Sequence, residues 1–153
     1  MAKENGVLWC EEVGLLSAVP FSDRIGAYND YPEVRADFLV MKTDYKKREH
    51  KFIIYEVKSC AEDYKQDTKW HHYLKYCHRL YFVVKPDFPI DIIDASHPKV
   101  GIAVTESAYS EDVPYGYRVV KKARWGELDP KVEPGWLHYL VTKRLFHGGR
   151  GEH

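Results

Sequence analysis

The sequence predicts an α/β fold, a mixed β-sheet flanked by α-helices, and three observations carry that expectation. The runs "KFIIYEVK" and "RLYFVVK" are short, β-branched and aromatic, the content of buried strands. Between them, residues 61–78 change period: Trp70, Tyr73, Leu74 and Cys77 fall at i, i+3, i+4 and i+7, the buried stripe of an amphipathic helix. Ahead of the first run, the charged stretch "TDYKKREH" links it to "VRADFLVMK", residues 34–42, which reads as the other arm of a β-hairpin.

Taken in order, residues 4–16 are expected to form a modest helix, because Val7, Glu11 and Leu15, or Leu8, Glu12 and Leu16, recur at helical spacing. The hairpin follows. Residues 51–85 then make a β-α-β unit whose strands should be parallel neighbours with a right-handed crossover, Asp67 or Thr68 capping the regular part of the helix. Next come a helical turn near "IDIID", strands "KVGIAVT" and "YGYRVVKKA", and a closing helix "EPGWLHYLVTKRLF" with Pro134 near its start. With no repeat or linker in the chain, residues 1–146 are expected to be one domain and 147–153 a flexible tail.

With 44% hydrophobic and 14% aromatic residues, the 153-residue chain has material for one core. No apolar run approaches the roughly 18 residues that span a bilayer, and the first residues do not resemble a secretory leader. Cys10, Cys60 and Cys77 are odd in number and lack Cys-x-x-Cys spacing, which argues against a disulfide framework and a structural zinc site. A cytoplasmic protein with no membrane partner is expected. The net charge is zero, but it is arranged in blocks of −4, +5, −5 and +4 over residues 1–41, 42–85, 86–116 and 117–153. If the two positive blocks share a face, they allow weak, salt-dependent contact with a phosphate backbone, with a logarithmic salt slope of roughly −3 to −5 and the acidic residues 86–116 facing away; the alternative, which charge alone favours, is a solvated mosaic surface.

On a strand, Glu56 and Lys58 project to one face while Tyr55 and Val57 project to the other. Of six acid-x-Lys triplets, only this one ends an apolar strand, where charges removed from water need pairing, a cation or a working cleft. Antiparallel pairing across the hairpin can bring the carboxylate of Asp37 close to that of Glu56. Magnesium, or manganese in its place, suits two such carboxylates, since it takes one or two of them and keeps room for waters and phosphate oxygens. Lys58 beside it could orient a water or neutralise charge building on phosphorus, which suggests phosphodiester hydrolysis. The same residues also admit a structural reading: an ion pair at a strand end, with Asp37 capping a turn.

The order Asp37, a β-turn, then Glu56-x-Lys58 resembles the core of the PD-(D/E)XK nuclease superfamily. The longer text "RADFLV", "YEVKSCAEDYKQDTKWHHYLKYCHRLYFVV", "PDFP" and "VGIAV", about residues 35–104, resembles its MmcB-like branch of bacterial DNA-repair proteins. Asp67, Lys69, Trp70, Tyr73, Tyr81 and Phe82 fall where that branch has similar residues. The resemblance implies a restriction-endonuclease-like fold, a divalent metal held by Asp37 and Glu56, and Lys58 as catalytic base or electrostatic stabiliser. Ala36 stands where the signature proline would be, and the extra acid that many relatives place in the first helix could be Glu11, Glu12 or neither.

Other candidates carry less. His71, His72 and His78 lack the i, i+4 spacing of a helical zinc site and are expected at the rim or in solvent. Trp70 is expected in the core. Lys65 and Lys69, one turn apart, are candidate phosphate contacts, as are the basic runs "KKR" at 46–48 and "VKKARW" at 120–125. Three function classes follow: a Mg-dependent DNA nuclease, a nucleic-acid-binding scaffold on the same fold that does not cut, and an acid–base enzyme on a small molecule. The last lacks any glycine-rich phosphate loop or cofactor motif. Weak intrinsic binding makes a branched or single-stranded DNA, a homodimer, or a partner that delivers DNA the expected setting for the nuclease.

Overall fold

The computed structural model describes residues 5–18, 35–105 and 117–147. One mixed six-stranded sheet runs in chain order: β1 (Asn5–Gly14), β2 (Arg35–Asp44), β3 (Glu49–Lys58), β4 (Arg79–Val84), β5 (Val100–Thr105) and β6 (Tyr117–Lys121). The central pairs β3/β4 and β4/β5 are parallel, and β1/β2, β2/β3 and β5/β6 are antiparallel. The hairpin and the parallel β-α-β unit are as the sequence predicts. In the hairpin turn, the Asp44 carboxylate accepts the Lys46 and Lys47 N–H groups, the local bonding that favours aspartate at turns. The helices α1 (Ala61–Gln66) and α2 (Val132–His147) and the 3₁₀ turns Leu15–Ala18, Trp70–Tyr76 and Ile90–Ile92 complete the described chain.

Two elements depart from expectation. The segment expected as a first helix is strand β1. Glu12 takes a positive φ of 50°, and the buried residues on either side, Cys10 and Val13, lie three apart instead of two. The helical spacing read from the sequence runs instead through Glu11 or Glu12, both exposed, and marks no buried stripe. The crossover is not one amphipathic helix either. After α1 the chain bends at Asp67–Lys69 and resumes as 3₁₀, whose three residues per turn bury Trp70, Tyr73 and Tyr76 and leave Leu74 half-buried. Asp67 helps set that bend, its carboxylate accepting the Lys69 N–H at 3.0 Å.

The main core lies between one sheet face and the helical elements. Phe52, Ile54, Leu80, Phe82, Val100 and Val104 form its floor, Trp70 meets Phe82 edge to face, and Trp136 of α2 donates its indole N–H to the Tyr76 carbonyl at 2.8 Å. The opposite face holds a smaller cluster, Ile53, Tyr81, Ala103 and Ala123. Gly101 is required there, because a Cβ would stand 2.4 Å from the Tyr81 ring, whose hydroxyl reaches the Ala123 N–H. Residues 106–116, with half of the expected acidic block's carboxylates, and tail residues 148–153 lie outside the described residues.

Candidate functional site

The site forms at the carboxyl end of β3, where the β2/β3 ladder runs out. That ladder extends from Asp44–Glu49 to Phe38–Tyr55. Beyond it the two acids bond to each other's strands: the Asp37 N–H donates to Glu56 Oε1 at 2.9 Å, and the Val57 N–H donates to Asp37 Oδ2 at 2.8 Å. Side-chain carboxylates thus take over from backbone carbonyls as the strands separate, and both acids are fixed at the opening.

Alternation holds along β3 as the sequence predicts. Glu56 and Lys58 are buried, 3% and 6% exposed, on the face that carries the helical elements, while Val57 faces the other way and is exposed. Their neighbours on β4 are Phe82 and Val84. The Lys58 ammonium donates to Asp67 Oδ2 at 2.7 Å, and the other oxygen of Asp67 is the one held by the Lys69 N–H. Asp67 is therefore the site residue that sequence reasoning missed in this role. The sequence offered it, or Thr68, as a cap at the start of the regular part of the crossover helix; Lys69 takes that position, and only the bend reveals that the Asp67 carboxylate turns back to β3. Tyr73 closes the inner side, donating its hydroxyl to the Arg35 carbonyl at 2.9 Å.

The electrostatics are those of an acid-rich cluster with one cation. Burial, then the charge of Asp37, pushes the Glu56 carboxyl up to about 8. Burial also raises Asp37 against the opposing effect of the Val57 hydrogen bond and Lys58. The Tyr73 phenol is raised, first by burial and then by the charge of Glu56. Burial pulls the Lys58 ammonium down, but the hydrogen bond to Asp67 and the charges of Asp67, Glu56 and Asp63 together outweigh that and hold it above the usual lysine range. The acids that act on the pair are thus Asp63 and Asp67 from the α1 side. Glu11 and Glu12 are both exposed on β1.

This donor set fits a hard divalent cation. Two fixed carboxylates converge, both disfavour charge as they stand, and the nearby ammonium is already committed to a third acid. Among the described residues no cluster of three or more metal-ligating side chains occurs, so an ion held here would have these two carboxylates as its protein ligands and waters for the rest. A consequence is measurable without metal. Glu56 has a higher pKa folded than unfolded, so its contribution to stability is complete below about pH 4.5 and is lost as pH rises through about 8. In chelator, the melting temperature should fall between those limits, and Glu56→Gln should flatten the fall. Thermal scans over that range check it; equal slopes in both proteins would contradict the assignment.

Other expectations resolve as follows. Trp70 is core, 5% exposed, and His71 and His72 are exposed. His78 is not at the rim: it is buried, its Nδ1 accepts the Phe52 N–H at 2.9 Å, and burial lowers it to about 4, so the ring is neutral. It lies between strands where a backbone donor needs an acceptor. Lys65 and Lys69 are exposed beside Asp67. The "KKR" turn lies eight residues along β3 from Glu56, about 25 Å away. Lys121 of "VKKARW" donates to the Val100 and Ala95 carbonyls, so it holds the fold.

A family model described as DNA repair protein MmcB-like matches residues 32–124, from just before β2 to just past β6. The chain belongs to the MmcB-like family. The match spans all three of Asp37, Glu56 and Lys58, and the family's description points to a DNA-related role. A solved structure from Silicibacter pomeroyi, a protein of unknown function, is similar in fold, with a TM-score of 0.60 and 21% identity over 94% of this chain and 82% of that one. No curated protein matches the chain. Among the described residues no helix is long and apolar enough to cross a membrane.

Proposed function

We propose that this MmcB-like protein is a metal-dependent nuclease of the PD-(D/E)XK type that hydrolyses phosphodiester bonds in DNA during repair or processing. The observation that carries the reading is the reciprocal bonding of Asp37 and Glu56 across the end of the hairpin, with Lys58 fixed on the same face. Asp37 and Glu56 would hold Mg²⁺ or Mn²⁺, which when bound supplies Lewis-acid polarisation of phosphate and activation of water. Lys58, held charged by Asp67, serves as an electrostatic stabiliser facing the charge that develops on phosphorus, because a proton-accepting role needs the neutral amine. Lys65 and Lys69, both exposed, would meet a flanking phosphate. The zero net charge supports a branched or single-stranded DNA substrate, a homodimer, or a partner that brings the DNA.

A non-cutting nucleic-acid-binding scaffold is the second reading, and the Lys58–Asp67 pair favours it to the extent that it satisfies the ammonium without substrate. Calorimetry tests the metal site on which the first reading depends. Mn²⁺ should bind with an affinity that rises with pH as the carboxyls lose their protons, and should raise the melting temperature. The Asp37→Asn, Glu56→Gln double variant should bind none at that site. Unchanged affinity in the double variant would remove the metal site.

A further inference from the structure

On the sheet face opposite Asp37 and Glu56, Lys42 of β2 stands directly across from Lys51 of β3, and Arg79 begins the next strand beside Ile53. Strand alternation puts all three on the side of Ile53 and Tyr81. Like charges directly opposed in a sheet oppose pairing, so this row lowers stability by itself. The acids nearest to it, Asp44 and Glu49, form the last pair before the turn, and among the described residues no ion pair joins them to these cations. The Arg79 guanidinium lies 3.5 Å from the centroid of the Trp125 ring, with the Lys51 ammonium 6.0 Å from it. Arg79 Nε is buried without a hydrogen-bond partner, so the indole and no carboxylate holds this charge.

Trp125 is nevertheless 43% exposed. Its backbone is pinned on both sides: the Arg124 N–H donates to the Pro98 carbonyl at 2.8 Å and the Gly126 N–H to the His78 carbonyl at 2.9 Å. A rigid indole, backed by a guanidinium yet 43% exposed, beside two more cations without carboxylate partners, is the combination that stacks a base and neutralises its flanking phosphates. We propose that this surface binds a single strand of nucleic acid, a base stacking on Trp125 and the backbone crossing Lys42, Lys51 and Arg79. Duplex DNA keeps its bases stacked inside and offers no free π-face to the indole, so the surface should select unpaired strands. This binding is separate from the carboxylate site and needs no cleavage.

Fluorescence anisotropy in EDTA, which prevents metal-dependent cutting, tests it with labelled short oligothymidylate, oligouridylate and duplex DNA. Single strands should bind more tightly than duplex, and Trp125→Ala should weaken them about tenfold. Trp125→Phe, which keeps a stacking face, should recover most of that loss. Joint Lys42→Ala and Lys51→Ala replacement, at positions with little to unfold, should lower the logarithmic salt slope for single strands by about 1.4. Preference for the deoxy or the ribo strand assigns the polymer. Undiminished single-strand binding in Trp125→Ala, a preference for duplex, or no binding of any oligonucleotide would each overturn the proposal.

Discussion

Lys58→Ala should lower DNA cleavage about a hundred- to a thousandfold while leaving Mn²⁺ binding in place. The magnitude is that of removing one preorganised group aimed at developing charge, roughly 3 to 4 kcal/mol of transition-state stabilisation. Separation from metal binding follows from the geometry: the ammonium is bonded to Asp67 at 2.7 Å, whereas the two carboxylates are fixed by the backbone N–H groups of Asp37 and Val57. Lys58→Arg should recover little, since a planar guanidinium does not reproduce a compact ammonium in a place that is 6% exposed. Paired cleavage rates and Mn²⁺ isotherms check both statements. Full activity in Lys58→Ala would exclude the proposed role, and loss of metal binding would make Lys58 a structural support of the carboxylates.

Trp70→Ala should destabilise the protein by about 3 to 5 kcal/mol. The indole begins the 3₁₀ turn that leads into β4, is 5% exposed, and meets Phe82 edge to face at 5.3 Å, with His71 stacked 3.8 Å away. Because Phe82 is the β4 neighbour of Glu56, the cavity would open beneath the site as well. A fall in melting temperature of about 10 °C is expected for a chain of this size. Exposed Lys69, one position earlier, should change stability by less than about 0.5 kcal/mol on replacement by alanine. Chemical denaturation of the two variants decides between core and surface; a Trp70→Ala protein as stable as the unaltered chain would contradict the packing.

What the sequence made legible was governed by strand periodicity. Residues 52–58 show it twice: apolar Phe52 and Ile54 mark the covered face, and Glu56 and Lys58 continue the same parity into the site. The hairpin register followed from a charged turn between two apolar runs, and with it the approach of Asp37 to Glu56. Legibility failed where backbone geometry changed without a compositional signal. A left-handed Glu12 breaks the burial alternation that would have marked strand β1, and the bend at Asp67–Lys69 replaced the 3.6-residue period by three. The same bend hid the partner of Lys58. His78 was misplaced for another reason, since a lone histidine gives no sign that a neighbouring backbone N–H will need its Nδ1.

The most direct test is cleavage itself. Purified protein and its Glu56→Gln variant should be incubated with single-stranded, duplex, nicked and branched DNA and with RNA, in Mg²⁺, in Mn²⁺ and in EDTA. The site as described predicts cleavage of DNA by the unaltered chain in either metal, none in EDTA, and none by Glu56→Gln. Cleavage that survives in EDTA, or that Glu56→Gln performs as well as the unaltered chain, would contradict a metal-dependent nuclease built on Asp37, Glu56 and Lys58.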